Sequence, residues 1–456
     1  MTDSTVAAIA TPPGKGGIAV VRISGPQAYR VASAVFRPAD PKKSLEKAKG
    51  YTALFGHFIL DGAVADEVVA LCFRAPRSYT GEDVVELSCH GGSAVSELLL
   101  RACLCAGAQP AGPGEFTKRA FLSGRISLTQ AEAVMDLIGA TGRQAAAAAA
   151  ASMEGALYKK IEGVRAKLVA LAGHLAAFID YPEEDVPDLS AKALAATVRE
   201  CLDAMETLIA GYGTGEMLRR GVRTAIVGSP NVGKSTLMNL LAGFERAIVT
   251  PVAGTTRDVV ETELSLGGVR LHLADTAGIR QTSDVVEAEG IRRSYAQLER
   301  AGLVLAVFDA SRKTQPEDED LARRCAGRPA LAILNKSDLA KNFDETRIAP
   351  YFSKIISISA KDVDFLPVVE NAVSEILGTA HADPDALLLA NERQLTAARR
   401  AADALADALA VLDGGYTLDA AGVCVDDALE ALYELTGESA SADVIDNVFA
   451  NFCVGK

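Results

Sequence analysis

The alternation of apolar and polar positions along these 456 residues changes rhythm several times, and each change predicts a change of architecture. Up to residue 118, short β-type runs at 18–23 (IAVVRI), 67–73 (EVVALCF) and 83–88 (DVVELS) sit among Gly- and Pro-rich stretches, as in a small α+β domain. From Thr117 an Ala- and Leu-rich stretch with helical spacing predicts long helices. The seven alanines 145–151 fit that reading, because Ala is the strongest helix former and allows close helix packing. YPEED at 181–185 and Pro187 interrupt the array, a further helix runs to about Ile209, and GYGTGE at 211–216 reads as a hinge. From Arg223 to Ile376, the strands RTAIVG, VRLHLAD, GLVLAVFD, RPALAILN and KIISIS alternate with helices, which predicts a parallel sheet covered on both faces. After HADPD at 381–385, helical spacing returns to the end.

The expected fold class is therefore multidomain. It comprises an α+β domain (1–118), an all-α domain built from two segments (119–211 and 381–456), and an inserted α/β P-loop domain of Ras-like type (212–380). The flanking helical segments are expected to pack together, since insertion is tolerated where termini lie close.

Composition adds constraints. The length exceeds one hydrophobic core, so two or three domains are expected. With 49% apolar and 23% charged residues, little disorder is expected. The eight cysteines (72, 89, 103, 105, 201, 325, 424 and 453) show no CxxC pair or zinc spacing, which favours reduced thiols. No basic segment leads into an apolar stretch at the start, and no run of 18 apolar residues occurs, so a cytoplasmic protein with no membrane span is expected. The net charge of −13 is uneven: residues 381–456 carry 4 basic and 14 acidic side chains, making that arm the poorest surface for RNA.

The chemistry begins at Gly228-Ser-Pro-Asn-Val-Gly233-Lys234-Ser235, a GxxxxGK[ST] match between an apolar strand and the helical run STLMNLLAG. Asn231, Val232, Gly233 and Thr236 would line the phosphates, Lys234 would meet the β- and γ-phosphates, and Ser235 would ligate Mg²⁺. Asp275-Thr276-Ala277-Gly278 ends the strand VRLHLA, where its carboxylate can hold a magnesium water. Asn335-Lys336-Ser337-Asp338 ends the next motif strand. Asp338 there can accept from guanine N1–H and the exocyclic amine, which adenine cannot offer, with Asn335 and the Lys336 stem in support. Ser359-Ala360-Lys361 follows KIISI, with the Ala360 N–H expected at guanine O6. Between the first two motifs lies a hydroxyl-rich loop, Thr250, Pro251, Val252, Ala253, Gly254, Thr255 and Thr256, suited to sensing the γ-phosphate. Thr256 is the expected second magnesium hydroxyl, with Thr255 its rival.

A Ras-type site needs a glutamine after DTAG, and Ile279 stands there. Glu287 and Glu289 are candidates for orienting water, against the plainer reading of a solvated acidic stretch. No arginine finger can be assigned, so a cation or partner must offset the transition-state charge.

ATPPGKGGIAVVRISG (10–25), YTGEDVVELSCHGG (79–92), GPGEFTKRAFLSGRISLTQAEAVMDLI (112–138), GSPNVGKSTLMNLLAG, IVTPVAGTTRD and the terminal FCVGK (452–456) resemble the tRNA-modifying GTPases of the MnmE (TrmE) family over essentially the full length. The resemblance implies K⁺ beside the nucleotide, held by Asn231, Thr250, Val252 and Thr255, and it selects Glu287 as the catalytic glutamate. It implies G domains that meet when GTP is bound, and a constitutive homodimer through the N-terminal domains. It also implies a tetrahydrofolate derivative (5,10-methylene or 5-formyl) at Arg22, Glu86, Arg125 and Lys456. The family has lysine where Arg125 stands, which keeps the charge and changes the geometry.

Cys453, alone, reads as a small apolar residue; the family's Cys-x-Gly-Lys tail makes it a candidate for one-carbon transfer. His90 beside Cys89 reads as structural. The implied reaction, with a flavin-containing MnmG (GidA) partner in a heterotetramer or larger complex, adds an aminomethyl or carboxymethylaminomethyl group at C5 of the wobble uridine of certain tRNAs. The competing readings are a ribosome-assembly GTPase, for which no KH-type GXXG unit or basic arm is present, and a GTP-controlled scaffold without catalysis, which the intact Lys234, Ser235 and Glu287 disfavour.

Overall fold

A computed structural model describes residues 4–140, 142–180, 191–244, 262–273, 298–362, 365–379, 389–414 and 417–456. Two compact units emerge: Met1–Met135 with Met153–Leu202 and Arg400–Lys456, and Asp136–Ser152 with Asp203–Arg399.

The first unit opens with β1 (Val6–Ile9), β2 (Ile18–Ser24), α1 (Ala28–Val35), β3 (Phe36–Pro38), β4 (Thr52–Leu60), β5 (Ala63–Phe73), β6 (Val84–His90), α2 (Ser93–Cys105) and β7 (Gln109–Pro110). The strands form one sheet in the order β3-β4-β5-β6-β2-β1-β7, antiparallel except for the β1–β7 pair. Val21, Ile23, Val85 and Leu87 point into a core shared with Val31 of α1 and Leu99 of α2. Because strand side chains alternate, Arg22 and Glu86, which are register partners, fall on the opposite face. The strands β2, β5 and β6 match the predicted runs. β1, β3, β4 and β7 were not read from the pattern, being short or interrupted by Gly and Pro.

Helices follow: α3 (Glu115–Leu122), α4 (Leu128–Gly139), α5 (Arg143–Met153), α6 (Ala156–Asp180), α7 (Ala191–Ala210) and α8 (Tyr212–Arg220). A reciprocal cap starts α4: the Ser127 N–H donates to Gln130 Oε1 (2.9 Å) and the Gln130 N–H to Ser127 Oγ (3.3 Å). The alanine run lies within α5. The expected hinge at 211–216 is corrected to the start of α8. A Glu216–Arg220 ion pair (3.0 Å) and two arginines in the last turn favour helix there despite three glycines.

The second sheet is built from β8 (Val222–Val227), α9 (Lys234–Phe244), β9 (Thr262–Leu266), β10 (Val269–Leu273), β11 (Leu303–Asp309), α10 (Pro316–Cys325), β12 (Ala330–Asn335), β13 (Lys354–Ser357) and α11 (Leu366–Ile376). Its order is β13-β12-β11-β8-β10-β9. All pairs are parallel except β9 with β10, so the sheet is mixed rather than wholly parallel. Every residue of β11 and β12 is buried, as expected of central strands covered on both faces. One face packs Leu305, Val307 and Ile333 against Leu237 of α9 and Val369 of α11. The other packs Ala306, Phe308 and Leu334 against Leu321 of α10. Pro316 at the N-terminal turn, a Gln315–Asp318 capping box, three early acids and two late arginines give α10 matching signals at both ends.

The chain finishes with α12 (Glu392–Asp413), α13 (Leu418–Thr436) and α14 (Ala442–Ala450). Within the first unit α13 packs on α6, where the Arg165 guanidinium lies 5.1 Å from the centre of the Tyr433 ring and pairs with Glu438 at 2.5 Å. Phe449 of α14 packs with Phe452 and with Leu128 and Ala131 of α4.

Phe308 is fully buried between Phe343 (5.6 Å between ring centres) and Phe352 (6.0 Å). Phe308→Ala is expected to remove about 3–5 kcal/mol of stability. Hydrogen exchange of the β11 and β12 amides in urea checks this, and protection unchanged from wild type would refute it.

Candidate functional site

The C-terminal ends of β8, β11 and β12, with the loop after β13, bring the described nucleotide motifs to one edge of the second sheet. The phosphate loop leaves β8 at Gly228 and enters α9 at Lys234. Asn231 (φ 60°) and Gly233 (φ 101°) are left-handed, a backbone that turns successive N–H groups toward one anion. A side chain at Gly233 would meet Asn335 Nδ2 at 2.1 Å, so only glycine fits this approach. Lys234 Nζ donates to the carbonyls of Gly228 and Ser229, both at 2.8 Å, and burial pushes its ammonium below the ordinary lysine range. The ammonium is thus held inside the loop that would surround a β-phosphate. Ser235 and Thr236 stand in the first turn of α9, Ser235 half-buried and Thr236 exposed. A hydroxyl and a half-buried ammonium beside a ring of backbone N–H groups suit a phosphate with Mg²⁺.

Asn335 ties the loops together. Its Nδ2 donates to the Val232 carbonyl (2.7 Å), while its Oδ1 accepts the Ala360 N–H (2.9 Å). The Ala360 N–H expected at guanine O6 is therefore engaged by Asn335 in this structure, because a buried amide oxygen must find a donor. Asp338 is exposed. It accepts from Ser359 Oγ (2.9 Å) and Lys361 Nζ (3.2 Å), and these bonds hold its carboxyl below the usual range, so it stays an acceptor for guanine donors. Lys336 takes a left-handed backbone (φ 65°) and its ammonium meets Asp309 Oδ2 at 2.6 Å. Burial opposes the Asp309 charge, yet the bonds from Lys336 and Ser311 outweigh it and keep that carboxyl below its ordinary range. Asp309 was missed from sequence; its signal was a lone acid closing the apolar strand beside the NKSD strand.

Of the predicted residues, Thr250, Pro251, Val252, Ala253, Gly254, Thr255, Thr256, Asp275, Thr276, Ala277, Gly278 and Glu287 lie outside the described residues. The potassium set is represented by Asn231 alone, which is exposed and whose side chain makes no hydrogen bond among the described residues.

A second cluster lies in the first unit. Arg22 Nε pairs with Glu86 (2.7 Å), and its Nη1 donates to the Gly455 carbonyl (3.3 Å). Its guanidinium lies 5.5 Å from the Tyr79 ring centre and 5.3 Å from that of Phe116. The tail is tied down by its backbone: Gly114 N–H donates to the Cys453 carbonyl (3.3 Å) and Phe116 N–H to that of Lys456 (3.0 Å). Gly455 (φ 96°) passes so close to β1 that a Cβ would meet the Ile9 carbonyl at 2.3 Å. Arg22, paired with Glu86, thus meets the tail at the Gly455 carbonyl, next to Lys456, and Cys453 in the same tail is exposed. Arg125 is exposed after α3, and no hydrogen bond or ion pair joins its side chain to those three among the described residues. Tyr79 and Phe116 were missed, although both stand inside motifs that the sequence singles out. A partly buried ion pair with two aromatic rings against its arginine suits a flat heterocycle with an anionic arm.

Gly233→Ala is expected to displace Asn335 and weaken guanine-nucleotide binding at least about tenfold with melting little changed. Titration with a fluorescent GDP checks this, and wild-type affinity would show that the close approach is unimportant.

The model of the MnmE helical domain matches residues 128–453, and that of the N-terminus of the GTP-binding protein TrmE matches residues 5–125. The tRNA modification GTPase MnmE of Heliobacterium modesticaldum is 43% identical over 467 residues, covering 100% of both chains. Its counterpart from Symbiobacterium thermophilum is 42% identical over 460 residues, again covering 100% of both. Among solved structures, Aquifex aeolicus Era bound to GDP·AlF4⁻ aligns with 40% of this chain and 66% of its own, at 27% identity and a TM-score of 0.25, and carries no weight here. No described helix is long and apolar enough to cross a membrane. Matched along its whole length, in both its N-terminal and helical parts and with the nucleotide motifs in place, the chain belongs to the MnmE (TrmE) family of tRNA modification GTPases.

Proposed function

We propose that this protein is a potassium-activated GTPase that works with a flavin-containing partner on tRNA. Together they add an aminomethyl or carboxymethylaminomethyl group to C5 of the wobble uridine, with a tetrahydrofolate derivative as one-carbon donor. The observation that carries this reading is the convergence of Lys234, Asn335 and Asp338 on one sheet edge, in a chain that also ties the Arg22–Glu86 pair to its own tail at Gly455.

In the proposed cycle, Lys234 and the N–H groups from Asn231 to Ser235 hold the β- and γ-phosphates of GTP. Asp338 accepts from the guanine N1–H and amine, which discriminates against adenine. Ser235 and Thr256 would hold Mg²⁺, and Asn231, Thr250, Val252 and Thr255 would hold K⁺; between them these ions supply the positive charge that an arginine finger gives elsewhere. Asp275 would hold a water of the Mg²⁺, and Glu287 would orient the attacking water through a bridging solvent molecule. Arg22, Glu86 and Lys456 orient the folate, with Arg125 a weaker member, and Cys453 stands by as the candidate thiol.

Hydrolysis is proposed to belong to a homodimer whose G domains meet across their switches. The N-terminal domains would form the constitutive contact. In support of that contact, Phe55 and Val69, register partners on one sheet face, are both exposed. The domain limits proposed from sequence are 1–118, 119–211, 212–380 and 381–456.

GTP turnover in KCl is expected to exceed that in NaCl by an order of magnitude or more, and equal rates would remove potassium from the mechanism. Glu287→Ala is expected to bind GTP and lose hydrolysis by about 10²-fold or more; a normal rate returns Glu287 to the solvated face. In a deletion strain, wobble uridines should lack the modification, and unaltered tRNA would overturn the proposed substrate.

A further inference from the structure

Two buried carboxylates outside every nucleotide motif contact the nucleotide loops. Asp309, at the end of β11, is 7% exposed, and Asp318, in the first turn of α10, is fully buried. Each divides its two oxygens between two tasks. Asp309 Oδ1 accepts from the Ser311 N–H (2.9 Å) and hydroxyl (2.6 Å), a local turn, while Oδ2 accepts the Lys336 ammonium (2.6 Å). Asp318 Oδ2 accepts the Gln315 N–H (3.0 Å), closing the helix cap, while Oδ1 accepts from Arg312 Nη2 (2.8 Å) and the hydroxyl of Ser229 in the phosphate loop (3.3 Å).

A turn and a helix cap each need only one carboxylate oxygen. Burying a second charged oxygen is costly unless it too is paired, and in both residues the partner lies on, or beside, a loop that handles nucleotide. The chain between them is tied to the same frame: Ala310 N–H donates to the Asn335 carbonyl (2.8 Å), and Asn342 Nδ2 to the Ser311 carbonyl (2.9 Å).

We propose that Asp309 and Asp318 are positioning residues for the two ends of the nucleotide. Asp309 pins the Lys336 ammonium to the sheet edge, which fixes the lysine stem that supports the base. Asp318, shared with Arg312, fixes Ser229 at the start of the loop that surrounds the β-phosphate. The segment 309–318 thereby sets base affinity and phosphate affinity through separate contacts. This inference rests on guanine-nucleotide binding at the loops already described.

The test uses the full-length protein and compares GDP with GMP, which share the base and differ in the β-phosphate, by competition against a fluorescent GDP. Asp309→Asn keeps the turn acceptor and weakens the lysine pair, so GDP and GMP should both weaken by the same factor, about tenfold, the size of one charge-assisted hydrogen bond. Asp318→Asn should weaken GDP about tenfold and leave GMP within about twofold. Ser229→Ala, which leaves the helix cap intact, should repeat the Asp318 pattern more weakly. Lys336→Met, which keeps the stem and removes the ammonium, should repeat the Asp309 pattern. Should either Asp variant fail to fold, these two carry the comparison.

Equal losses for GDP and GMP in the Asp318 and Ser229 variants, or unchanged affinities throughout, would overturn the proposal. A general loss of structure predicts no split between the two ligands. Wild-type protein titrated with GDP and ADP in the same assay separates the two levels: no preference for GDP would overturn guanine binding itself. A wild-type preference beside unaffected variants would overturn only the positioning roles.

Discussion

One buried side-chain amide holds the nucleotide site together. Asn335 donates to the phosphate loop at Val232 and accepts from the loop after β13 at Ala360, while its own backbone closes β12. A buried amide left unpaired costs about 1–3 kcal/mol per group, so each of these loops is held where it can satisfy the other. Gly233 follows from the same constraint, since any Cβ there would collide with the Asn335 nitrogen. The left-handed backbones at Asn231 and Lys336 lie on either side of that bridge. Local strain of this kind persists where the surroundings over-determine it.

That bridge requires a rigid frame, and the frame comes from burial. β11 and β12 are covered on both faces, so their ends cannot shift without exposing two cores at once. Asp309 and Asn335 are register partners across that pair, which places the lysine-pairing carboxylate beside the motif it serves. The first unit uses the same logic differently. There, one sheet face is buried under helices and the other carries Arg22 and Glu86, and the tail, paired with residues 113–116, passes β1 at Gly455 where Arg22 meets it. Arg22 is anchored by an acid, a carbonyl and two rings, so its position depends on parts of the chain more than 400 residues apart.

The two clusters differ in how they could be read from sequence. The phosphate and base motifs are contiguous, because each is a single strand-to-loop turn whose residues act on one end of the ligand. Their expected roles follow from local spacing, and the fold brings Lys234, Asn335 and Asp338 to one sheet edge. The second cluster draws one or two residues from each of several distant segments, and spacing along the chain carries no information about such a meeting. Only the family resemblance pointed to it. Tyr79 and Phe116 escaped notice for the same reason: an aromatic residue is unremarked until an arginine is seen against it.

The sequence by itself determined the class of architecture, the parallel strands of the second sheet and the order of its nucleotide loops, since these depend on periodicity and on motifs within one turn of chain. It misjudged 211–216, where three glycines suggested a hinge and ion pairing with tertiary packing made a helix. It also passed over the antiparallel edge strand β9 and the short strands of the first sheet, whose pairing rather than composition makes them strands. The tertiary structure alone decided which donor meets which acceptor. Ala360 turned to Asn335, and Asp309 and Asp318 became partners of the nucleotide loops, because buried polar groups are satisfied by whatever the fold brings within about 3 Å of them.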